Sequence, residues 1–255
     1  MGKALVEQQF GRAAADYAAC SVHASGLSLA RMLTLAAPRR DWRVLDVATG
    51  AGHTAMAFAP HVASVIATDV TAEMLAETVR LSAQRGLANV TTARADAAAL
   101  PYDEASFELV TCRLAAHHFR DPQAFVSEAW RVLVPGGTFL LVDNVSPDEV
   151  AAAASYNAFE TLRDPSHARC LGLGEWLQLL GGTGFVDMHD ECIDQDIEFG
   201  PWTQRMRCDA ATAAQLEASL AEAHLRDFLN PHRDERGLVF TLQEAIIAAR
   251  KPARK

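Results

Sequence analysis

One stretch of the chain, residues 43–58, constrains its fold more than any other. An apolar run from Arg43 to Val47 has the length and composition of a buried strand, and Gly50 and Gly52 follow it in a tight loop. The next residues, Thr54 to Phe58, fit the first turns of a helix. Glycines let the backbone turn sharply beside a ligand, and a helix start offers unpaired N–H groups and the positive end of a dipole. The stretch therefore predicts a strand, a loop and a helix that together bind a carboxylate or a phosphate.

The glycine loop fits two classes of cofactor site. The segment from Gly50 to Ala55 satisfies the G-x-G-x-x-G/A pattern of dinucleotide-binding folds. Asp46, however, stands four residues before Gly50. A carboxylate beside the loop repels a pyrophosphate but attracts a ligand that carries an ammonium and a sulfonium. The alternative is a buried aspartate that only caps the helix.

A second acidic residue follows the next predicted strand. Residues 63–68 have an apolar strand pattern, and Asp69 comes directly after them, 19 residues beyond Gly50. This spacing places a carboxylate at the tip of the neighbouring strand, where it can accept both hydroxyls of a ribose. As the alternative, Asp69 caps the next helix. Val70 and Met74 suit an adenine face, although Met74 suits the core equally.

Six motifs occur in a fixed order along the first part of the chain. They are Asp46-x-x-x-Gly50-x-Gly52, Asp69, Asp96-Ala97, Leu100-Pro101, residues 116–119 and residues 131–137. As a set they resemble class I S-adenosylmethionine (SAM) dependent methyltransferases, in the group that includes the ubiquinone and menaquinone C-methyltransferases. The resemblance covers residues 8–145 and departs from the family at Val134, where a lysine often precedes Pro-Gly-Gly. It implies an α/β fold with a doubly wound, mostly parallel, seven-stranded Rossmann-like sheet whose last strand is antiparallel.

The same resemblance implies that the cofactor is SAM and that S-adenosylhomocysteine is its product. In that family the carboxylate at the position of Asp96 accepts from the adenine amino group, and a neighbouring backbone N–H donates to the ring. The residues that match cofactor-binding positions of the family are Tyr17, Asp46, Ala48, Gly50, Gly52, Asp69, Val70, Met74, Asp96, Ala97 and Arg113.

The fourth predicted strand spans residues 106–112. The loop that follows it is expected to face the cofactor, because ligands lie at the carboxyl ends of the strands in such sheets. The loop holds His117, the first candidate for a general base, and His118, the second. For each ring a structural hydrogen bond is an equal alternative. Adjacent histidines without a third ligand nearby do not predict a metal site. Other polar side chains that could reach the pocket are His23, Asp143 and Arg113, the last as a holder of an anionic substrate.

The composition of the chain limits the classes of substrate and partner that we expect it to bind. The 255 residues carry a formal net charge of −9, so we expect a small neutral or anionic substrate and no nucleic acid. The five cysteines show neither a CxxC pair nor metal-ligand spacing, and neither a signal peptide nor a membrane span is visible. We therefore expect a cytoplasmic protein with reduced thiols. Lysine occurs only at positions 3, 251 and 255, which excludes a P-loop, a Schiff-base enzyme and a Tyr-x-x-x-Lys reductase.

The pattern predicts one methyltransferase domain over residues 1–255. Residues 1–40 form an N-terminal cap, which is either a lid over the cofactor or a helix packed on the sheet. Residues 41–145 form the cofactor-binding core, and residues 146–255 hold a substrate-covering insertion and the end of the sheet. Ser146 to Glu149 has the form of a capping box that starts a helix. The fifth, sixth and last strands are predicted over residues 138–143, 185–192 and 243–250.

Methyl transfer from SAM to a small acceptor is the leading functional hypothesis. A nicotinamide-dependent oxidoreductase is the second, favoured by the glycine pattern and Asp69 but opposed by Asp46, Asp96 and the lack of an internal lysine. A SAM-binding partner subunit without catalytic activity is the third. No pattern in the sequence indicates the acceptor, the atom that is methylated or the oligomeric state.

Overall fold

A parallel sheet forms the centre of the fold. A computed structural model of the chain describes residues 2–19 and 26–253, except for the side chains of residues 2, 3, 12, 13 and 15–19. The parallel strands are β1 (Arg43–Val47), β2 (Ser64–Asp69), β3 (Val90–Arg94), β4 (Phe107–Arg113) and β5 (Leu133–Asn144). Their spatial order is β3-β2-β1-β4-β5, in which the order along the chain reverses between β1 and β4. Such a reversal opens a crevice at the carboxyl ends of the strands.

Three more strands complete the sheet on the β5 side. They are β6 (Val186–Glu198), β7 (His232–Asp234) and β8 (Gly237–Arg250). The last strand, β8, lies between β5 and β6 and runs antiparallel to both. The doubly wound, mostly parallel sheet and the antiparallel last strand confirm the predicted fold class, and β7 adds a short hairpin partner to β8.

Helices lie before the first strand and between the strands. They are α1 (Gly2–Ala19), α2 (Leu27–Ala36), α3 (His53–Phe58), α4 (Ala72–Gln84), α5 (Pro122–Val132), α6 (Val150–Arg163), α7 (Leu173–Thr183), α8 (Phe199–Arg205), α9 (Ala210–Ser219) and α10 (Ala223–Leu229), with single 3₁₀ turns at Ala59–His61 and Ala116–His118. No helix within residues 2–19 and 26–253 is both long and apolar enough to cross a membrane.

Helices bury both faces of the sheet, because consecutive strand residues point to opposite sides. In β1, Val44 belongs to the apolar cluster that includes Met32 and Phe58, whereas Leu45 belongs to the cluster that includes Phe125. Burial on both faces explains why β1 is buried continuously from Val44 to Val47 rather than at alternate residues.

A third apolar cluster lies beyond the parallel strands. It joins α6, α8, α9 and α10 to the extended part of β8 through Tyr156, Phe159, Trp202, Leu216 and Phe240. The predicted insertion after the fifth strand is therefore a packed helical layer with a core of its own.

Three predicted boundaries were wrong, and each error has a physical reason. The last strand begins at Gly237 rather than at residue 243, and β6 ends at Glu198 rather than at residue 192, because these strands continue to pair with each other beyond β5. The fifth strand begins at Leu133 rather than at residue 138, since Leu133 pairs with Phe107 before the Pro-Gly-Gly irregularity.

The predicted capping box was also wrong. Helix α6 begins at Val150, and its N-cap is Glu149, whose side chain accepts from the backbone N–H groups of Ala151 and Ala152 at 2.9 and 2.7 Å. Ser146 lies outside the helix, because its backbone N–H donates to the Leu171 carbonyl at 3.2 Å. The cap is thus displaced by three residues.

Candidate functional site

A cavity of about 350 Å³ opens at the carboxyl ends of β1, β2, β3 and β4. Helix α1 lies over it and contributes Val6 and Phe10. Among the residues singled out from the sequence, the lining contains Ala48, Gly50, Asp69, Val70, Met74, Asp96, Ala97, Arg113 and His118. Helix α1 therefore borders the cavity through these two side chains.

The glycine loop turns in the left-handed region of backbone space. Gly50 has φ +55° and Gly52 has φ +83°, a conformation that side chains of L-residues disfavour. A Cβ atom on Gly52 would lie 2.6 Å from Cγ2 of Thr78 in α4, so only glycine fits there. The Thr78 hydroxyl also donates to the Gly50 carbonyl at 2.9 Å. Thr78 of helix α4 therefore fixes the position of the glycine loop.

Two residues other than glycine also have a positive φ, which is a strained backbone conformation for them. Ala48 follows β1 with φ +52°, Leu114 follows β4 with φ +53°, and both line the cavity. Left-handed backbone costs an ordinary residue roughly 1–2 kcal/mol, and such strain concentrates at functional sites. The strain lies at the ends of two adjacent strands, where the sheet order reverses.

Asp69 closes the loop from the side of β2. One carboxylate oxygen accepts from the Gly50 N–H at 2.9 Å, and the other accepts from the Thr71 N–H at 2.9 Å. Burial raises the pKa of Asp69, and these backbone hydrogen bonds oppose the rise. The carboxylate lines the cavity, where it can accept further hydrogen bonds from a ligand.

Asp46 lies beneath the loop and does not belong to the cavity lining. Its carboxylate is 1% exposed and accepts from the hydroxyls of Thr49 at 2.5 Å and Thr111 at 2.6 Å. Burial raises its pKa to about 6, although the threonine hydroxyls and the Ala55 N–H lower it. Asp46 therefore ties β1, β4 and the start of α3 together. Gly52 lies outside the lining as well.

The opposite end of the cavity combines apolar surface with one carboxylate. Val70 and Met74 follow β2, and Ala97 follows β3, so the three side chains line a narrow apolar space. Asp96 stands beside them, and its Oδ1 accepts from the Ala98 N–H at 3.1 Å. This combination suits a flat ring that carries an exocyclic amino group.

Arg113 places a positive charge at the end of β4. Its Nε donates to the Ser28 hydroxyl of α2 at 3.2 Å. The Glu244 carboxyl, which is buried on β8, interacts with the Arg113 charge, and this interaction opposes the rise that burial causes in the pKa of Glu244. Helix α2 and the last strand thus hold the guanidinium at the cavity.

The two adjacent histidines have different surroundings. His117 is outside the cavity lining, and Asp143 at the end of β5 accepts from its ring Nδ1 at 2.6 Å and from its backbone N–H at 2.7 Å. Burial lowers the pKa of His117, but the Asp143 carboxylate, helped by Glu160 and Asp164, raises it above the usual value. His117 is therefore held as a partner of Asp143.

His118, in contrast, lines the cavity. Its Nδ1 lies 3.1 Å from the Ser166 carbonyl, and the ring of Phe10 packs edge-on against it at 4.9 Å between centroids. Burial and the neighbouring His117 lower the pKa of His118 to about 4. His118 thus lies at the cavity, whereas His117 does not.

Two predicted residues cannot be placed. The side chain of Tyr17 on α1 and the whole of His23 lie outside the described part of the chain. The residues that sequence reasoning missed are Val6, Asp164 and Ser166, because none of them stands in a recognisable motif. Phe10 did stand out as an aromatic residue ahead of the first strand.

The chain is similar in sequence and in structure to known methyltransferases. The sequence pattern of the family described as "Methyltransferase domain" matches residues 45–141. A Bacillus subtilis protein named "Uncharacterized methyltransferase YcgJ" is 36% identical over 217 residues, which cover 85% of this chain and 86% of that protein. Its crystal structure matches with a TM-score of 0.84 at 34% identity, over 89% of this chain and 99% of that one.

Two further matches agree with the first. The crystal structure of a putative methyltransferase (BH2331) from Bacillus halodurans has a TM-score of 0.82 and 36% identity, over 88% of this chain and 99% of that one. The demethylmenaquinone methyltransferase of Thermus thermophilus is 33% identical over 131 residues, which cover 51% of this chain and 59% of that protein.

Proposed function

The chain belongs to the SAM-dependent methyltransferases, and from this membership we propose that its cavity binds SAM and that a small-molecule acceptor receives the methyl group there. The position of Asp69 carries the proposal. Its two oxygens are oriented by Gly50 and Thr71, and the carboxylate lines the cavity, where it can accept from the hydroxyls of a ribose. When bound, SAM supplies a methyl group that its sulfonium activates.

The charge around the cavity supports a cationic cofactor. Asp69 and Asp96 line the cavity, and the buried Asp46 accepts from the hydroxyl of Thr49, which also lines it. A dinucleotide brings a doubly charged pyrophosphate to the same loop, where these carboxylates would repel it. The nicotinamide alternative therefore loses its support from the glycine pattern.

The chain's own residues would orient the bound molecule and exclude water. We place the adenine between Val70, Met74 and Ala97, with Asp96 as acceptor for the exocyclic amino group. Val6 and Phe10 of α1 cover the cavity. Methyl transfer from a sulfonium depends mainly on in-line alignment and a dry site, so these contacts supply most of what the reaction needs.

A general base contributes less to the reaction than alignment and the exclusion of water. We assign this base to His118, with His117 as the second candidate. His118 lines the cavity and is neutral at pH 7, whereas the ring of His117 is bound to Asp143. Arg113 is the candidate holder of an anionic acceptor group, because it is a cavity-lining guanidinium at the end of β4.

The shape of the cavity and the charge of the chain support a small acceptor. The cavity has the volume of a small-ligand pocket, and helix α1 covers it. The net charge of −9 opposes binding of a polynucleotide. Turnover with a small acceptor separates this proposal from a SAM-binding subunit without activity.

Titration calorimetry with S-adenosylhomocysteine, SAM and NADH, each added separately, tests the cofactor. We expect S-adenosylhomocysteine to bind the wild type and to bind Asp69→Ala at least tenfold more weakly, because two hydrogen bonds to an ionised carboxylate are lost. Asp41→Ala, at an exposed position, is the matched control and should bind as the wild type does. Binding of NADH alone would overturn the proposal.

A further inference from the structure

Residues 164–169 belong to the loop between α6 and α7. They are hydrogen-bonded to the turn that carries the two histidines. The backbone N–H groups of Ala168 and Arg169 both donate to the His117 carbonyl at 2.9 Å. The Ser166 carbonyl lies 3.1 Å from Nδ1 of His118. A segment of the C-terminal helical layer thus lies directly against the histidine turn, whose His118 lines the cavity.

The Ser166 carbonyl determines which nitrogen of His118 carries the proton. The Ser166 hydroxyl lies 3.4 Å from the same Nδ1 but donates to Asp164 at 2.6 Å. A carbonyl oxygen only accepts, so Nδ1 of His118 is the donor to the Ser166 carbonyl. In the neutral ring the lone pair then lies on Nε2. Among the residues that the structure describes, no hydrogen bond reaches Nε2, and the Asp164 Oδ2 atom stands 4.0 Å from it.

Asp164 is held rigidly in that position. It is 4% exposed, and its Oδ1 accepts from the Ser166 N–H at 2.8 Å and from the Ser166 hydroxyl at 2.6 Å. These bonds leave Oδ2 toward His118. Nε2 and Oδ2 are both acceptors, so they cannot bond to each other, and together they form a place for a donor or for a transferred proton.

The groups around His118 keep its ring neutral. The ring of His117 packs on it at 4.2 Å between centroids, and Phe10 of α1 covers another side. Asp164 faces it from the loop, and Asp143 acts on it from β5. Burial and His117 outweigh the two carboxylates, so the pKa of His118 falls to about 4 and Nε2 stays unprotonated at neutral pH.

Resting on the proposed methyl transfer, we infer that Ser166 and Asp164 are positioning residues that present Nε2 of His118 as the proton acceptor of the reaction. The acceptor substrate is then a nucleophile that carries an O–H or N–H group. As the bond from its oxygen or nitrogen to the methyl carbon forms, the bond from that carbon to sulfur breaks and leaves S-adenosylhomocysteine. The proton of the nucleophile passes to Nε2, and the Asp164 carboxylate stabilises the imidazolium that results.

Nitrogen-15 NMR of the histidine rings tests this assignment. Full-length protein with labelled histidine is loaded with S-adenosylhomocysteine at pH 7, and the His118 ring is assigned from the signals lost in His118→Gln. We expect a neutral ring with the proton on Nδ1, in contrast to the Nε2–H form that is common for free histidine. A proton on Nε2, or a doubly protonated ring, would overturn the inference.

Two variants separate the contributions of the loop. Ser166→Ala keeps the backbone carbonyl and should leave the proton on Nδ1. Asp164→Asn replaces the carboxylate by an amide that can donate to Nε2, so the Nε2 resonance should move upfield as it accepts a hydrogen bond. An unchanged Nε2 resonance in Asp164→Asn would remove Asp164 from the proposal.

A pair of probes tests the substrate class. Phenol added to the loaded wild-type protein should shift the Nε2 resonance of His118, whereas anisole, in which a methyl group replaces the hydroxyl proton, should not. Equal responses to both probes, or none to phenol, would contradict a proton-bearing acceptor. Failure of S-adenosylhomocysteine to bind would instead refute the proposed cofactor, so the two failures are distinguishable.

Discussion

Asp143 holds His117 by two bonds at once, with Oδ1 2.6 Å from the ring Nδ1 and Oδ2 2.7 Å from the backbone nitrogen. Asp143 is 2% exposed and also accepts from the Asn144 N–H at 2.9 Å. A single buried carboxylate at the end of β5 therefore fixes both the ring and the backbone of the histidine turn that follows β4.

The first prediction concerns Asp143→Asn, which removes the charge of this pair. The folded state raises the pKa of His117, so the stabilisation is fully present below the unfolded value of about 6.5 and is lost as pH rises through the folded value. We expect the variant to lose about 3–5 kcal/mol of unfolding free energy at pH 6 and less at pH 9. Urea unfolding at both pH values measures the difference, with Asp190→Asn, on the exposed edge of β6, as control. Equal losses at the two pH values would show that the charge of His117 does not contribute.

The second prediction concerns the pH dependence that Asp46 imposes. Its folded pKa, about 6, exceeds the unfolded value of about 3.9, so the folded state binds more protons between these values. The contribution of Asp46 to stability is therefore present at low pH and lost as pH rises from about 4 to 6, by roughly 3 kcal/mol. Asp46→Asn should remove that part of the slope. Parallel stability curves for wild type and variant, measured by urea unfolding, would contradict the assignment.

The third prediction compares two glycines with positive φ. Gly52→Ala adds a Cβ 2.6 Å from Cγ2 of Thr78 as well as left-handed strain, and should cost about 2–4 kcal/mol of unfolding free energy. Gly86→Ala, with φ +67° and no atom within 4 Å of the new Cβ, should cost only about 1 kcal/mol. Chemical unfolding measures both. If Gly52→Ala were as mild as Gly86→Ala, the close approach of the loop to α4 would be wrong.

The fourth prediction concerns helix α1 as a lid. Phe10 lines the cavity and contacts His118, and the helix is held by an ion pair of 2.5 Å between Glu7 and Arg94. Phe10→Ala should speed dissociation of S-adenosylhomocysteine about tenfold, the equivalent of about 1.4 kcal/mol of lost contact. Stopped-flow displacement measures the rate.

Leu5→Ala is the matched control for the lid. Leu5 lies on the same helix, is exposed and does not line the cavity, so its removal should leave the dissociation rate unchanged. A similar acceleration in both variants would indicate that loss of helix stability, rather than loss of the cover, opens the site.

The contact between the glycine loop and Asp69 was predictable from short-range patterns. Gly50, Gly52 and Asp69 belong to one strand-loop-helix-strand unit, in which regular strand and helix lengths bring the loop and the next strand tip together. The bond of 2.9 Å between the Gly50 N–H and Asp69 confirms that proximity. The family resemblance implied an antiparallel last strand, but the extension of this strand to Gly237 depends on β6, which pairs with it from a distant part of the sequence.

The amino-acid sequence by itself thus determined the individual strands of the parallel core, the glycine loop and the acidic residues at the strand ends, because periodicity and spacing act over a few residues. The order of the strands in the sheet was implied by the family resemblance. Tertiary structure alone decided that Asp46 lies under the loop, that His118 rather than His117 lines the cavity, and that residues 164–169 lie against His118. Each outcome depends on a partner far along the chain: Thr111 for Asp46, Asp143 for His117 and Ser166 for His118. Neighbouring side chains point in different directions, and only the buried hydrogen bonds of the folded chain determine which of them reaches the cavity.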